Sequence, residues 1–422
     1  MVNYDYLYKK EYYDDIISKN HFSDKELSWS VYQNVTLIPF KDLGDNIGGG
    51  LLDSSGDYID GSGIHKGMCW AYDYDETEVK YKDETIVFLG LWPDVWGHCL
   101  TDNLRRLWVL NDTDFMAKYG YLKFVYIIFN HKNLSDNFRS LLEILGIDSV
   151  NLEGMDELVR YRNVVIPDEC FFRVDDDKEH IKEDGTRIYT KEYKALIDSI
   201  KKYGEENFHK EDYEKIYFTR RKFSLYRDIG ERKIELFFKK LGYKIVSPEE
   251  YSFVEQLNML LNCKEFASTV GSASHNSLFL RDDAKVYLIT RANYIAEYQL
   301  AIDQLCDFET TYIDSTLSLY VHPKHPWSGP FYYIVSDNLK RCFGQDYRYK
   351  FNSLKFRIYK NVAFRLNEVT SPNDYYAGIY ERYLTGDPEI HIKKNLFYKL
   401  CVKLKIQKIL SMITNWLEGF ER

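Results

Sequence analysis

Between residues 215 and 290 short β-type runs alternate with helical patterns, and few folds accommodate that alternation. The strand candidates are 216–219, 243–246, 266–269 and 285–289. Between them, 233–241 puts Ile234, Phe237, Phe238 and Leu241 on one face, and 252–263 does the same with Phe253, Leu257, Leu260 and Leu261. A third helical pattern covers 274–280. A run of β-α-β-α-β-α-β is read as a parallel sheet covered by helices. The helix ends are marked as well. Gly242 follows the first helix, and Ser252 with Glu255 three residues later forms a capping-box pattern before the second.

At 422 residues and 45% hydrophobic, the chain is too long for one ordinary domain and too apolar to be disordered. Its first half repeats the same grammar less regularly: a helical run over 98–116, a strand at 124–129, a helix at 136–145 and a strand at 163–166. A second α/β domain is the natural expectation. Turn signals at Gly48-Gly49-Gly50 and Ser54-Ser55-Gly56-Asp57 frame a hairpin, the acidic stretch 175–184 is read as a loop, and 191–203 as a connecting helix. The tail 393–422 carries seven basic residues against Glu418 and Glu421, +5, so the rest of the chain holds about −14 of the total −9. Val402, Ile406, Ile409, Leu410, Ile413, Trp416, Leu417 and Phe420 give that tail an apolar stripe. A basic amphipathic helix of this kind lies on an anionic membrane surface or packs on its own domain.

A net charge of −9 argues against a nucleic-acid partner. The seven cysteines are scattered and form no C-x-x-C pair, so neither a disulfide framework nor a zinc site is signalled. No apolar leader and no stretch of about 18 uncharged apolar residues is present. A cytoplasmic protein is expected, with peripheral contact to the inner face of the membrane through 393–422. The 37 tyrosines suit sugar stacking only weakly, because a Tyr-rich core or codon bias explains the same count better.

Three segments have the composition of a ligand site. Tyr217 to Arg221 ends a strand candidate and, with Arg227, gathers three arginines where open α/β sheets bind ligands, and the planar guanidinium suits phosphate. Ser268 to Asn276 is again a strand end followed by small residues and a helix start, which lets backbone N–H groups reach an anion. There Ser272 and Ser274 offer hydroxyls and His275 an imidazole for phosphate or sugar. Neither G-x-G-x-x-G nor a P-loop lysine motif occurs, so a dinucleotide or ATP site lacks its fingerprint. In the first half, His98 and Asp102 are i, i+4 on one helix face, flanked by Trp92, Trp96 and Trp108. A histidine beside a carboxylate can act as a general base toward a hydroxyl, and the same spacing also fits a helix cap with a buried polar pair.

Taken jointly, these segments resemble glycosyltransferase family 61, which includes bacterial capsule-type enzymes and plant and animal xylosyl- and N-acetylglucosaminyltransferases. The resemblance rests on Trp96-Gly97-His98-x-x-x-Asp102-x-x-x-Arg106-Leu107, Tyr217 to Arg221, Arg227-x-Ile229-x-Glu231, Tyr251-Ser252-Phe253-x-Glu255-Gln256 and Gly271-Ser272-Ala273-x-x-Asn276-x-x-Phe279. It implies an α/β protein of GT-B type, with two Rossmann-like domains facing a cleft and a C-terminal amphipathic helix. The expected divisions are an acceptor-side domain at 1–205, a nucleotide-sugar-binding domain at 206–330 and an extension at 331–422. The implied activity is inverting and needs no metal or cofactor. The donor is a nucleotide sugar, expected to be UDP-linked, and the acceptor a polysaccharide, oligosaccharide or lipid-linked glycan of the cell surface. By position Arg220, Arg221 and Arg227 serve the diphosphate, Glu255 and Gln256 the nucleoside or sugar, and Gly271, Ser272, Ser274, His275 and Asn276 the phosphates and sugar. His98 and Asp102 face the acceptor, with Asp102 slightly preferred as base. Val270 and Gly230 stand where the family often has His and Asn, which bears on donor identity.

Two other readings stay open at this point. A GT-A transferase would hold a divalent metal on an Asp-x-Asp, for which Asp73-Tyr74-Asp75 and Asp175-Asp176-Asp177 are formal matches. A glycan-binding or assembly protein would keep the fold without the chemistry.

Overall fold

A computed structural model describes residues 2–44, 46–64, 69–131, 133–174, 185–208, 213–222, 228–291, 294–317, 329–346 and 356. Arg227, the acidic stretch 175–184 and the tail 393–422 lie outside the described residues. In chain order the first strands are β1 (Val2–Tyr6), β2 (Trp29–Asp42), β3 (Ile47–Leu52), β4 (Cys69–Trp70), β5 (Lys80–Trp92), β6 (Lys123–Ile128), β7 (Leu152–Met155) and β8 (Val159–Pro167). They are followed by β9 (Phe171–Val174), β10 (Thr186–Tyr189), β11 (Lys215–Phe218), β12 (Asp228–Ile229), β13 (Lys244–Val246), β14 (Glu265–Thr269), β15 (Lys285–Thr290), β16 (Glu309–Asp314) and β17 (Phe331–Tyr332).

The alternating region folds as its pattern predicts. All four expected strands are present, in a six-stranded sheet ordered β1-β16-β15-β14-β11-β13 whose pairings are all parallel. Chain order reverses between β11 and β14, which are neighbours with Phe218 opposite Ser268. The segments after both strands therefore leave the same edge of the sheet side by side, at the point where such sheets bind ligands. The helix Glu231–Lys240 buries Ile234, Phe237 and Phe238, and the helix Phe253–Asn262 buries Phe253, Leu257 and Leu260. The latter opens on the expected capping box between Ser252 and Glu255.

The first sheet departs from a second copy of that pattern. Its seven strands run β4-β3-β2-β8-β5-β6-β7, with β2 antiparallel to both β3 and β8 and only the β8-β5-β6-β7 half continuously parallel. Strand membership also cuts across a boundary at residue 205, because β1 pairs with β16 in the second sheet. The expected helical run over 98–116 is broken into a short helix Trp96–Leu100, a 3-10 turn Leu107–Asn111 and a helix Thr113–Tyr119. Tertiary contacts interrupt it: the Arg105 carbonyl accepts the Cys170 N–H, while the buried Arg105 and Arg106 guanidinia donate to backbone carbonyls of Gly61, Gly63, Ile64 and Pro167. The expected helix at 274–280 is a 3-10 turn, Ser274–Phe279, buried on every side.

The two units share one core. Leu89, Trp92, Leu100 and Leu104 from the first belong to the same buried cluster as Leu257, Phe266, Leu278 and Val286 from the second. A register shift in β5 between Phe88 and Gly90 governs how the first unit meets it. Before the shift Val87 and Leu89 face the shared core while Ile86 and Phe88 face the outer one; after it Leu91 faces outward and Trp92 inward. A bulge of this kind re-aims the side chains beyond it. Here it turns Trp92 into the shared core and delivers the chain, four residues later, to the helix that carries His98.

Candidate functional site

The helix Trp96–Leu100 sets His98 and Asp102 in contact, with His98 Nδ1 2.5 Å from Asp102 Oδ2. The two differ sharply in exposure: the Asp102 side chain is 4% exposed and that of His98 40%. Asp102 also accepts the Thr101 hydroxyl on Oδ2 at 3.1 Å, and the Tyr298 hydroxyl lies 3.2 Å from Oδ1. A buried carboxylate surrounded by donors is held in one orientation and orients the ring it meets. Since Asp102 occupies Nδ1, Nε2 is the ring nitrogen left to meet a substrate hydroxyl.

The segment after β14 lies directly against this helix. The Trp96 indole N–H donates to Asn276 Oδ1 at 3.1 Å. Gly97 makes the approach possible, because a β-carbon there would sit 2.9 Å from Ser272 Oγ and 3.2 Å from His275 Nδ1. His275 is buried, and neither of its ring nitrogens has a hydrogen-bond partner among the described residues. Burial, with His98 adding to it, holds its imidazole down to about 4, so the ring is neutral and offers one donor and one acceptor. Buried polar atoms are rarely left unsatisfied unless a water or ligand completes them.

Gly271 is built for close approach. Its φ of +134° is a left-handed conformation that favours glycine, and a β-carbon would fall 2.4 Å from an Arg291 Nη. The turn is held from behind. Ser274 Oγ receives the Gly271 N–H at 3.1 Å and lies 2.6 Å from Gln299 Oε1, whose amide donates to Asp303 at 3.0 Å. Burial raises the Asp303 carboxyl to about 7. Because Ser274–Phe279 is only a six-residue 3-10 turn, it offers individual donors rather than a helix dipole.

After β11 the arginines are tied into carboxylates. Arg221 Nε donates to Glu235 at 2.9 and 3.1 Å, and Arg220 lies 3.8 Å from Asp228 while its backbone N–H donates to Glu231. Glu231 is fully buried; burial first, then Asp228, lifts its carboxyl to about 8. Glu255 is exposed and its carboxylate takes the Ser252 N–H and hydroxyl, while the buried Gln256 amide donates to the carbonyls of Pro248 and Tyr251. Of the residues singled out in the sequence, His98, Asp102, Gly271, Ser272, Ser274, His275 and Asn276 therefore form one continuous cluster. Arg220 and Arg221 flank it at the neighbouring strand end, and Glu255 and Gln256 serve the loop and cap before the helix Phe253–Asn262. Asp75 of the Asp-x-Asp match caps a 3-10 turn by accepting the Thr77 N–H, and Asp175 to Asp177 lie outside the described residues. Sequence reasoning missed Tyr298, Arg291 and Arg187. A cue for Arg291 alone was available, its place just beyond the strand run ending at 289.

A His–carboxylate pair brought against the ligand-binding edge of a parallel sheet is equipment for transferring a group between a phosphorylated donor and a hydroxyl, and comparison with known families agrees. Residues 96–287 match the family model described as Glycosyltransferase 61, a span that opens on the helix carrying His98 and closes in β15. Over that span the chain is similar to glycosyltransferase family 61, and the class the match supports is a glycosyltransferase. No curated protein matches it.

Proposed function

We propose that the protein is an inverting, metal-independent glycosyltransferase of GT-B type that moves a sugar from a nucleotide-sugar donor, expected to be UDP-linked, onto a cell-surface polysaccharide, oligosaccharide or glycolipid. The observation that carries this reading is the contact of the His98–Asp102 pair with the Gly271–Asn276 turn across Gly97. The donor diphosphate lies at the edge between β11 and β14, near Arg220, Arg221, Ser272 and His275. His98 Nε2 takes the proton of the acceptor hydroxyl, whose oxygen attacks the anomeric carbon as the bond to the diphosphate breaks and its electron pair leaves with phosphate. Attack and departure from opposite faces give inversion. The base is placed at His98 rather than Asp102, because the carboxylate is the buried member and the imidazole the exposed one. Arginines take the part that a cation would otherwise play for the leaving group. The opposite charges of tail and body support a site of action at an anionic membrane surface, where a lipid-linked acceptor resides.

Thermal unfolding with a panel of UDP-, GDP-, CMP- and dTDP-sugars, each with and without EDTA, tests the reading. One class is expected to raise Tm equally in both conditions, by an amount corresponding to about 2.7 kcal/mol at a hundred times its Kd. Stabilisation that requires Mn²⁺ or Mg²⁺ would transfer the protein to the Asp-x-Asp alternative, and none from any nucleotide would favour a glycan-binding role.

A further inference from the structure

We propose that Tyr298 is a positioning residue for the Asp102–His98 pair, carried by the second unit so that the acceptor-side base is set by the donor-side part of the molecule. This inference rests on reading that pair as the base.

Tyr298 stands at the second position of the helix Glu297–Cys306, between β15 and β16, and is separated from Asp102 by 196 residues. Its hydroxyl lies 3.2 Å from Asp102 Oδ1 and 3.4 Å from Oδ2. The carboxylate is thus divided: Oδ2 faces His98 and Thr101, and Oδ1 faces the phenol. The ring is locked in place. The Arg187 guanidinium lies 4.2 Å from its centroid and the Phe171 ring stacks on it at 5.9 Å and 13°. Both come from the β9-β10 hairpin, whose Arg187 is itself buried and whose backbone at that residue accepts the His21 ring N–H at 2.7 Å. The phenol ring also stands 6.2 Å from the ring of His98 and 6.1 Å from that of His275, bridging the two sides.

A phenol O–H donated to Oδ1 draws charge away from Oδ2, and so weakens the hold of Asp102 on the imidazole proton. Remove it, and the charge concentrates where His98 Nδ1 sits. The imidazolium is then favoured, and the ring gives up its proton only at higher pH. Burial and the charge of Asp102 hold the Tyr298 phenol well above its ordinary range, so it remains a donor throughout. Other titratable or charged groups facing the pair are Cys99 and Tyr193, both kept protonated by burial, His275, kept neutral, and the permanently charged Arg187 and Arg291. None of them changes charge between pH 5 and pH 8.

The test tracks the histidine ring resonances of the full chain by NMR across that pH range, with His98 identified as the signal missing from His98→Ala. In Tyr298→Phe the His98 titration is expected to move up by about half a pH unit, the scale of one charge-assisted hydrogen bond shared between two sites. In an Asp102→Asn background the same substitution should move it no further. Superimposable titrations of wild type and Tyr298→Phe would overturn the proposal, as would an equal shift without Asp102 or loss of the folded state. This readout needs no donor, so it fails or succeeds separately from the reading of the pair as a base. That reading falls if Asp102→Asn and His98→Ala both turn over at the wild-type rate.

Discussion

Glu231 sits beneath the arginine segment with no exposure, taking the Tyr217 hydroxyl at 3.1 Å and the Arg220 N–H at 2.9 Å. Its carboxyl titrates at about 8 in the fold against 4.5 for the unperturbed group, because burial and Asp228 disfavour its charge. A proton is therefore taken up on folding. The stabilising contribution of that proton is complete below about pH 4.5 and is lost as pH rises through about 8, and Asp303 adds a slope of the same sign. Thermal unfolding from pH 5 to 8.5 should show falling stability, and Glu231→Gln should flatten the fall; an identical slope in that variant would mean the carboxyl is charged throughout. The sequence displayed some of these single residues and hid others for a physical reason. His98 and Asp102 are legible because i, i+4 spacing is a local fact, and Gly271 because a strand end rich in small residues has few other uses. Tyr298 and Arg187 are not legible, because their roles depend on which distant segments the fold brings to Asp102.

Among the elements, the helix Phe253–Asn262 is the one whose beginning is written most plainly in the sequence, and its capping box forms as expected. Glu255 consequently has a structural task in addition to the donor contact that family resemblance implies for it. Ser252→Ala should lower stability by about 1 kcal/mol, a fall in Tm of roughly 2 to 4 °C for a unit of 150–250 residues. Nucleoside diphosphate affinity should stay unchanged in that variant. Glu255→Ala, compared with it in the same calorimetric assay, isolates any donor contact as an additional loss of affinity. The helices that fail to form as predicted share one cause. At 98–116 and 274–280 apolar spacing favours a continuous helix, but the arginine contacts of the first and the Ser274–Gln299 and Trp96–Asn276 bonds of the second hold shorter, tighter turns. Helix propensity yields to tertiary hydrogen bonding where nearly every residue is buried.

For the molecule as a whole, the parallel sheet was legible because β11, β13, β14 and β15 succeed one another with helices between them. The strand β1 was not, since its partner β16 lies some 300 residues away and a five-residue run, Val2 to Tyr6, is too short to name that partner. Nor was the antiparallel pairing of β2 with β8, which joins segments separated by more than a hundred residues. These long-range pairings put the two units on one continuous core, with the His98 helix lodged against the Gly271 turn rather than facing it across open space. In the proposed mechanism the two sides of this contact divide the work, the second unit holding the donor and the first supplying the base. Turnover and nucleoside diphosphate affinity measured together in His98→Ala test it most directly. Turnover should fall by about 10² to 10⁴ with donor affinity within a few-fold of wild type, since a general base touches the acceptor and not the nucleotide. Near-normal turnover, or a loss of donor affinity as large as the loss of turnover, would contradict it.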